Sequence, residues 1–330
     1  MEKRIEQYKG GAAFLLGVLL PNLVGAVVLA IVAAIISVST GEDINTVLTS
    51  DTVTFIGLVL TQMLILLTVL LMTGFGRDFK SACKLRMPEN KLDFLVAAAM
   101  SVGVIMGLTV LSSLFFEFLG LFGYVPTESP FPDMTKGGNF VLGIFIIAML
   151  PAFCEEMLFR GVIMNSLESK GKWTAILLSA LFFMLMHASP LQTAYQFALG
   201  VILAIVAYKS GSILLSMTMH FLNNLIAIIM EYAGIGDFEM PWYLIALGLL
   251  IVAAGLYYFL KKPDPKADET VSSDTAEERL AEDDRVNELL VAEKKRSARI
   301  NKVLTILFYA IAVGFCVVVW ISQFAAGLPK

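Results

Sequence analysis

The chain of 330 residues is 58% hydrophobic and only 16% charged, with a mean hydropathy of +0.79, which excludes an ordinary water-soluble domain and places it among polytopic membrane proteins. A formal net charge of -4 argues against a nucleic-acid partner. Cys83, Cys154 and Cys316 are scattered and odd in number, so they offer neither a disulfide framework nor a Cys-x-x-Cys metal site. The expected fold class is an all-α transmembrane helical bundle of about nine spans.

The N-terminal MEKRIEQYKGG is charged and runs into an apolar stretch of span length with no small-residue cleavage site, which reads as an uncleaved first helix. Apolar runs able to cross about 30 Å of hydrocarbon follow at 12–38, 52–74, 92–119, 139–160, 173–189, 191–209, 212–233, 241–260 and 302–326. Segment 39–51 has no positive charge, whereas 75–91 carries Arg77, Lys80, Lys84, Arg86 and Lys91. Such asymmetry places the N-terminus in the cytoplasm and, after nine crossings, the C-terminus outside, in a multi-pass protein of a prokaryotic cell membrane. Four regions are expected: N-terminal helices and loops over 1–138, a core of spans four to eight over 139–260, a charged cytoplasmic linker over 261–301, and a last helix over 302–330. The linker has a weak helical pattern from about Thr275 to Arg299, and its Lys294, Lys295, Arg296 and Arg299 lie where anionic lipid headgroups would be.

Span four ends in PAFCEEMLFRG, residues 151–161, and an ionised group in hydrocarbon costs several kcal/mol. On a helix Glu156 and Arg160 stand at i and i+4 and can pair, while Glu155 points about 100° away and is left free. The chain has two histidines, both within apolar runs: His187 at the end of FFMLMH and His220 in SMTMHFLNN, one turn before Asn224. If spans four and five turn near Gly171, and six and seven near Ser210–Gly211, these groups come to within a turn or two of one depth. That estimate needs the fourth helix to continue unbroken through Gly161 toward Leu167.

A carboxylate facing water, with imidazole and amide donors opposite, is the minimum needed to attack a peptide carbonyl and stabilise its oxyanion. Glu155, His187 and His220 are equally a three-ligand set for a single zinc ion with one position left for water. Spacing does not separate the metal-free from the metal-dependent route.

EEMLFR at 155–160, FMLMH at 183–187 and HFLNN at 220–224 resemble the EExxxR, FxxxH and HxxxN motifs of the type II CAAX prenyl endopeptidase and bacteriocin-processing (CPBP or ABI) membrane protease family. The resemblance covers about 139–260. It implies an intramembrane endopeptidase with Glu155 as general base, Glu156 and Arg160 as its support, His187 as partner of the water or metal, and His220 with Asn224 as oxyanion stabilisers. It leaves metal dependence open. The implied partner is a membrane-associated peptide or protein substrate, of CAAX, pheromone or bacteriocin type, lipidated or not. The alternative carried beside it is a non-enzymatic membrane immunity protein or signalling partner; a transporter is a more distant third, because no discontinuous repeat pair is visible.

Other polar residues read as structural. Glu117 falls at the outer end of span three as an interfacial side chain, and Gln192, Tyr195 and Gln196 as interhelical hydrogen bonders. Asn223 points away from the motif face, Gly103-x-x-x-Gly107 reads as helix packing, and Met184 and Met186 as flexible filler or the wall of an adaptable groove.

Overall fold

The computed structural model describes residues 5–74, 77–126, 131–236, 238–264 and 284–329, and among these there is helix and no strand. Nine apolar helices follow in order: α1 (Gln7–Thr40), α2 (Asp51–Thr73), α3 (Leu92–Gly120), α4 (Gly137–Lys170), α5 (Lys172–His187), α6 (Thr193–Ser210), α7 (Ile213–Tyr232), α8 (Trp242–Lys261) and α9 (Asp284–Ala326). Eight of them are long and apolar enough to cross a membrane; α5 is the exception. With 16 residues it reaches about 24 Å, short of a hydrocarbon layer of about 30 Å. The apolar run continues to residue 189, but Ala188 takes a left-handed conformation (φ 46°) and Pro190 cannot extend the helix, so α5 stops at the histidine.

At the centre stands α4, continuous through Gly161 as the depth argument requires. Residues 154–167 are buried without interruption, so this stretch has no lipid-facing side. A helix apolar nearly all round is accommodated only inside the bundle, and α1, α2, α5, α6 and α7 surround it. Gly171 (φ 106°) makes the α4–α5 turn and Gly211 (φ 64°) the α6–α7 turn, conformations that glycine adopts at no steric cost. On the far side α3 packs on α8 backbone to backbone: a Cβ on Gly248 would lie 2.5 Å from the amide nitrogen of Gly107. The Gly103-x-x-x-Gly107 stripe is thus the packing surface expected of it.

Polar contacts divide the two ends of the bundle. At one end Lys84 pairs with Glu168, Lys262 with Asp93, Lys172 and Lys209 both with Asp264 at 2.8 and 2.7 Å, and Gln7 Nε2 donates to Ser169 Oγ. At the other, Lys136 meets Asp51 at 2.8 Å and the Val125 amide donates to the Gly327 carbonyl at 2.7 Å. The two termini therefore lie at opposite ends. Within the charged linker, 265–283 lie outside the described residues; from Asp284 a single helix of 43 residues runs into the last apolar stretch without a break.

Candidate active site

Three i to i+4 pairs build the site. Glu156 and Arg160 have fully buried side chains, and Arg160 Nη1 donates to Glu156 Oε1 at 2.8 Å. Burying both ions costs several kcal/mol apiece, and partners on neighbouring helices offset part of it. His220 Nδ1 lies 3.1 Å from the same Oε1, Arg160 Nη2 donates to the Gly200 carbonyl at 3.0 Å, and the guanidinium carbon sits 4.7 Å from the centre of the Phe183 ring. Glu156 is thereby fastened to α6 and α7 through charge and hydrogen bonds.

Phe183 and His187 form the second pair. The His187 Nδ1 lies 2.8 Å from the Phe183 carbonyl, which can only accept, so Nδ1 carries the hydrogen and Nε2 the lone pair when the ring is neutral. The Phe183 ring also stands edge-on to both imidazoles, with centroids at 4.8 Å from His187 and 5.7 Å from His220. Phe183 thus touches the arginine and both histidines.

His220 and Asn224 are the third pair. Because Pro151 has no N–H, the Ile147 carbonyl four residues earlier loses its helical donor, and Asn224 Nδ2 supplies one at 3.1 Å. Two π-helical segments, Ile144–Met149 and Met157–Met164, flank this point and widen α4 on either side of the two glutamates. His220 Nδ1 faces a carboxylate oxygen and so carries a hydrogen, which leaves its Nε2 as acceptor in the neutral ring and as donor only in the imidazolium.

Glu155, His187, His220 and Asn224 all line one cavity of about 600 Å³; Glu156 and Arg160 do not. The structure thus gathers all six predicted residues and sorts them, four on the wall and two behind it. Glu155 is 6% exposed, its Oε1 accepts from Gln62 Nε2 at 2.9 Å, and its Oε2 has no protein donor. Although Glu155, His187 and His220 share the cavity, among the described residues no three His, Cys, Asp or Glu side chains converge as a metal-binding group. The donors of the zinc alternative are not gathered into a coordination set.

Sequence reasoning missed Gln62, a buried amide in the apolar run TQMLILL of α2. An amide in hydrocarbon is itself a signal, but its partner lies 93 residues away, beyond any spacing rule. Asn223, set aside earlier, holds the site too: it accepts from Tyr195 OH at 2.6 Å and donates to Asn224 Oδ1 at 3.3 Å. Tyr195 is the interhelical bonder expected, whereas Gln196 bonds to Gln192, just before α6, at 3.4 Å, and both line the cavity, as does Met186. Glu117 is exposed at the end of α3, as expected.

Residues 137–226 match the family model described as Type II CAAX prenyl endopeptidase Rce1-like, the family that the motifs resemble, and every predicted site residue lies in that segment. An Escherichia coli protein described as "Uncharacterized 24.3 kDa protein" is 35% identical over 86 residues, which is 24% of this chain and 38% of that protein. The chain therefore spans well under half of that relative's length. No solved structure matches.

Proposed function

We propose that this multi-pass membrane protein is an intramembrane endopeptidase in which Glu155 activates the attacking water. The observation that carries the reading is the division between adjacent carboxylates: Glu156 sits behind the wall, tied to Arg160 and His220, while Glu155 lines the cavity beside His187, His220 and Asn224. A water in the cavity donates one hydrogen to the Glu155 carboxylate and the other to His187 Nε2. As its oxygen bonds to the peptide carbon, Glu155 takes the proton and the carbonyl oxygen becomes an oxyanion. The second Nδ2 hydrogen of Asn224 and the Nε2–H of a protonated His220 stabilise that charge, with the imidazolium lying against the Glu156 carboxylate. Collapse breaks the C–N bond, and the proton held by Glu155 passes to the departing amine.

The substrate class is a membrane-associated polypeptide, in keeping with the family match. New N-termini in membranes of cells carrying wild type or Glu155→Gln test the reading. Cleavage is expected to fall by about 10²-fold or more in Glu155→Gln, with thermal stability in detergent retained. Undiminished cleavage by that variant, or no Glu155-dependent terminus anywhere, would refute it.

A further inference from the structure

The exposed residues Phe131, Ala227 and Glu231, at one end of the bundle, line the cavity, and no lysine or arginine of the basic end does. We infer that substrates enter from the end opposite the basic loops, through a mouth between the outer part of α1 and the turn joining α5 to α6. With the lysine- and arginine-rich end in the cytoplasm, the cleaved chains are exported or membrane-anchored polypeptides that present the scissile bond on the external side. This deepens the endopeptidase reading and rests on it for the nature of the reaction, though not for the route of entry.

Two features of the helices create the mouth. At 16 and 18 residues, α5 and α6 reach about 24 and 27 Å, so the turn between them stays below an outer surface about 30 Å from the basic end. Trp320 Nε1 donates to Thr193 Oγ1 at 2.9 Å, and α9 continues beyond Trp320 to Ala326, about 9 Å above that recessed turn. Meanwhile α1 packs along α9 chiefly over Gln7–Leu19; beyond Pro21 and its π-helical turn it packs chiefly on α2 and the short helix Ile44–Leu48. Asn22 and Gln192, exposed on the two sides of the resulting gap, both line the cavity.

The test uses single cysteines in the full chain, for which wild type is the blank because its own three cysteines are buried. Ala227→Cys and Gln192→Cys are expected to react with a membrane-impermeant maleimide in intact cells, and Lys170→Cys at the basic end only after permeabilisation. Reaction of these two cavity-lining cysteines only after permeabilisation overturns the entry route, whatever the protein hydrolyses. In the same cells, Glu155-dependent new N-termini are expected on the external flank of spanning segments. If they are confined to cytoplasmic tails, the substrate class is wrong and the endopeptidase reading stands; if there are none, the endopeptidase reading fails and the labelling still decides the entrance.

Discussion

Removing one member of the Glu156–Arg160 pair strands the other in an apolar interior, and that asymmetry separates a supporting glutamate from a reacting one. Glu156→Gln should cost about 3–5 kcal/mol, measured by thermal or denaturant unfolding in detergent, and Glu156→Gln/Arg160→Met should recover at least about 1 kcal/mol of it. Equal instability of the single and double variants would show that the pair is not what holds these helices together. Gln62 calls for a different readout, since its side chain holds the Glu155 carboxylate. Gln62→Leu should lower kcat by about tenfold or more with KM little changed, because it loosens the carboxylate without altering the mouth. A change in KM alone would place Gln62 in substrate binding. The i to i+4 pairs were legible in the sequence because one helix fixes their geometry. The Gln62–Glu155 and Tyr195–Asn223 contacts were not, since they depend on how separate helices dock.

A proline in the middle of a membrane-spanning helix is tolerated when a neighbour takes over the carbonyl it frees, and in α4 that neighbour is Asn224. The HxxxN asparagine is therefore also a brace between α4 and α7. Asn224→Leu should destabilise by about 1–2 kcal/mol in the Pro151 background and by clearly less in Pro151→Ala, where a backbone N–H can reach Ile147. Equal losses in both backgrounds would break the link between proline and asparagine. Hydropathy located every one of these helices, because a run of apolar residues has few other folds available in lipid. It misjudged the α5–α6 turn, where Ala188 and Leu191 keep the average high while the backbone at 188–190 ends the helix. The π-helical widening of α4 left no mark in composition, although Pro151 announced a break in the hydrogen-bond ladder.

Across the whole molecule the loops do more than set orientation, because their ion pairs tie helices that are distant in sequence. Asp264, just past α8, receives Lys172 from the start of α5 and Lys209 from the end of α6, closing three helices at the basic end. The charge asymmetry of the loops was plain in the sequence, but this clamp was not, since nothing in KKPDPKAD indicates which lysines its aspartate will meet. Hydrogen bonds from Lys172, and then Lys209, hold the Asp264 carboxyl below its ordinary value of 3.8. A carboxyl more acidic in the folded than in the unfolded chain adds stability that is present in full above the unfolded value and disappears as pH falls through the folded one. The window therefore lies below 3.8, and at neutral pH the contribution is constant. The carboxylate is 46% exposed, so water and salt screen the pair and its effect is small, about 1–3 °C in Tm for Asp264→Asn near pH 6. That difference should shrink in about 1 M salt and vanish near pH 2, where wild type and Asp264→Asn both present a neutral group to the lysines. A gap that persists undiminished at low pH would mean that the side chain holds the three helices by hydrogen bonds or packing, with its charge playing no part.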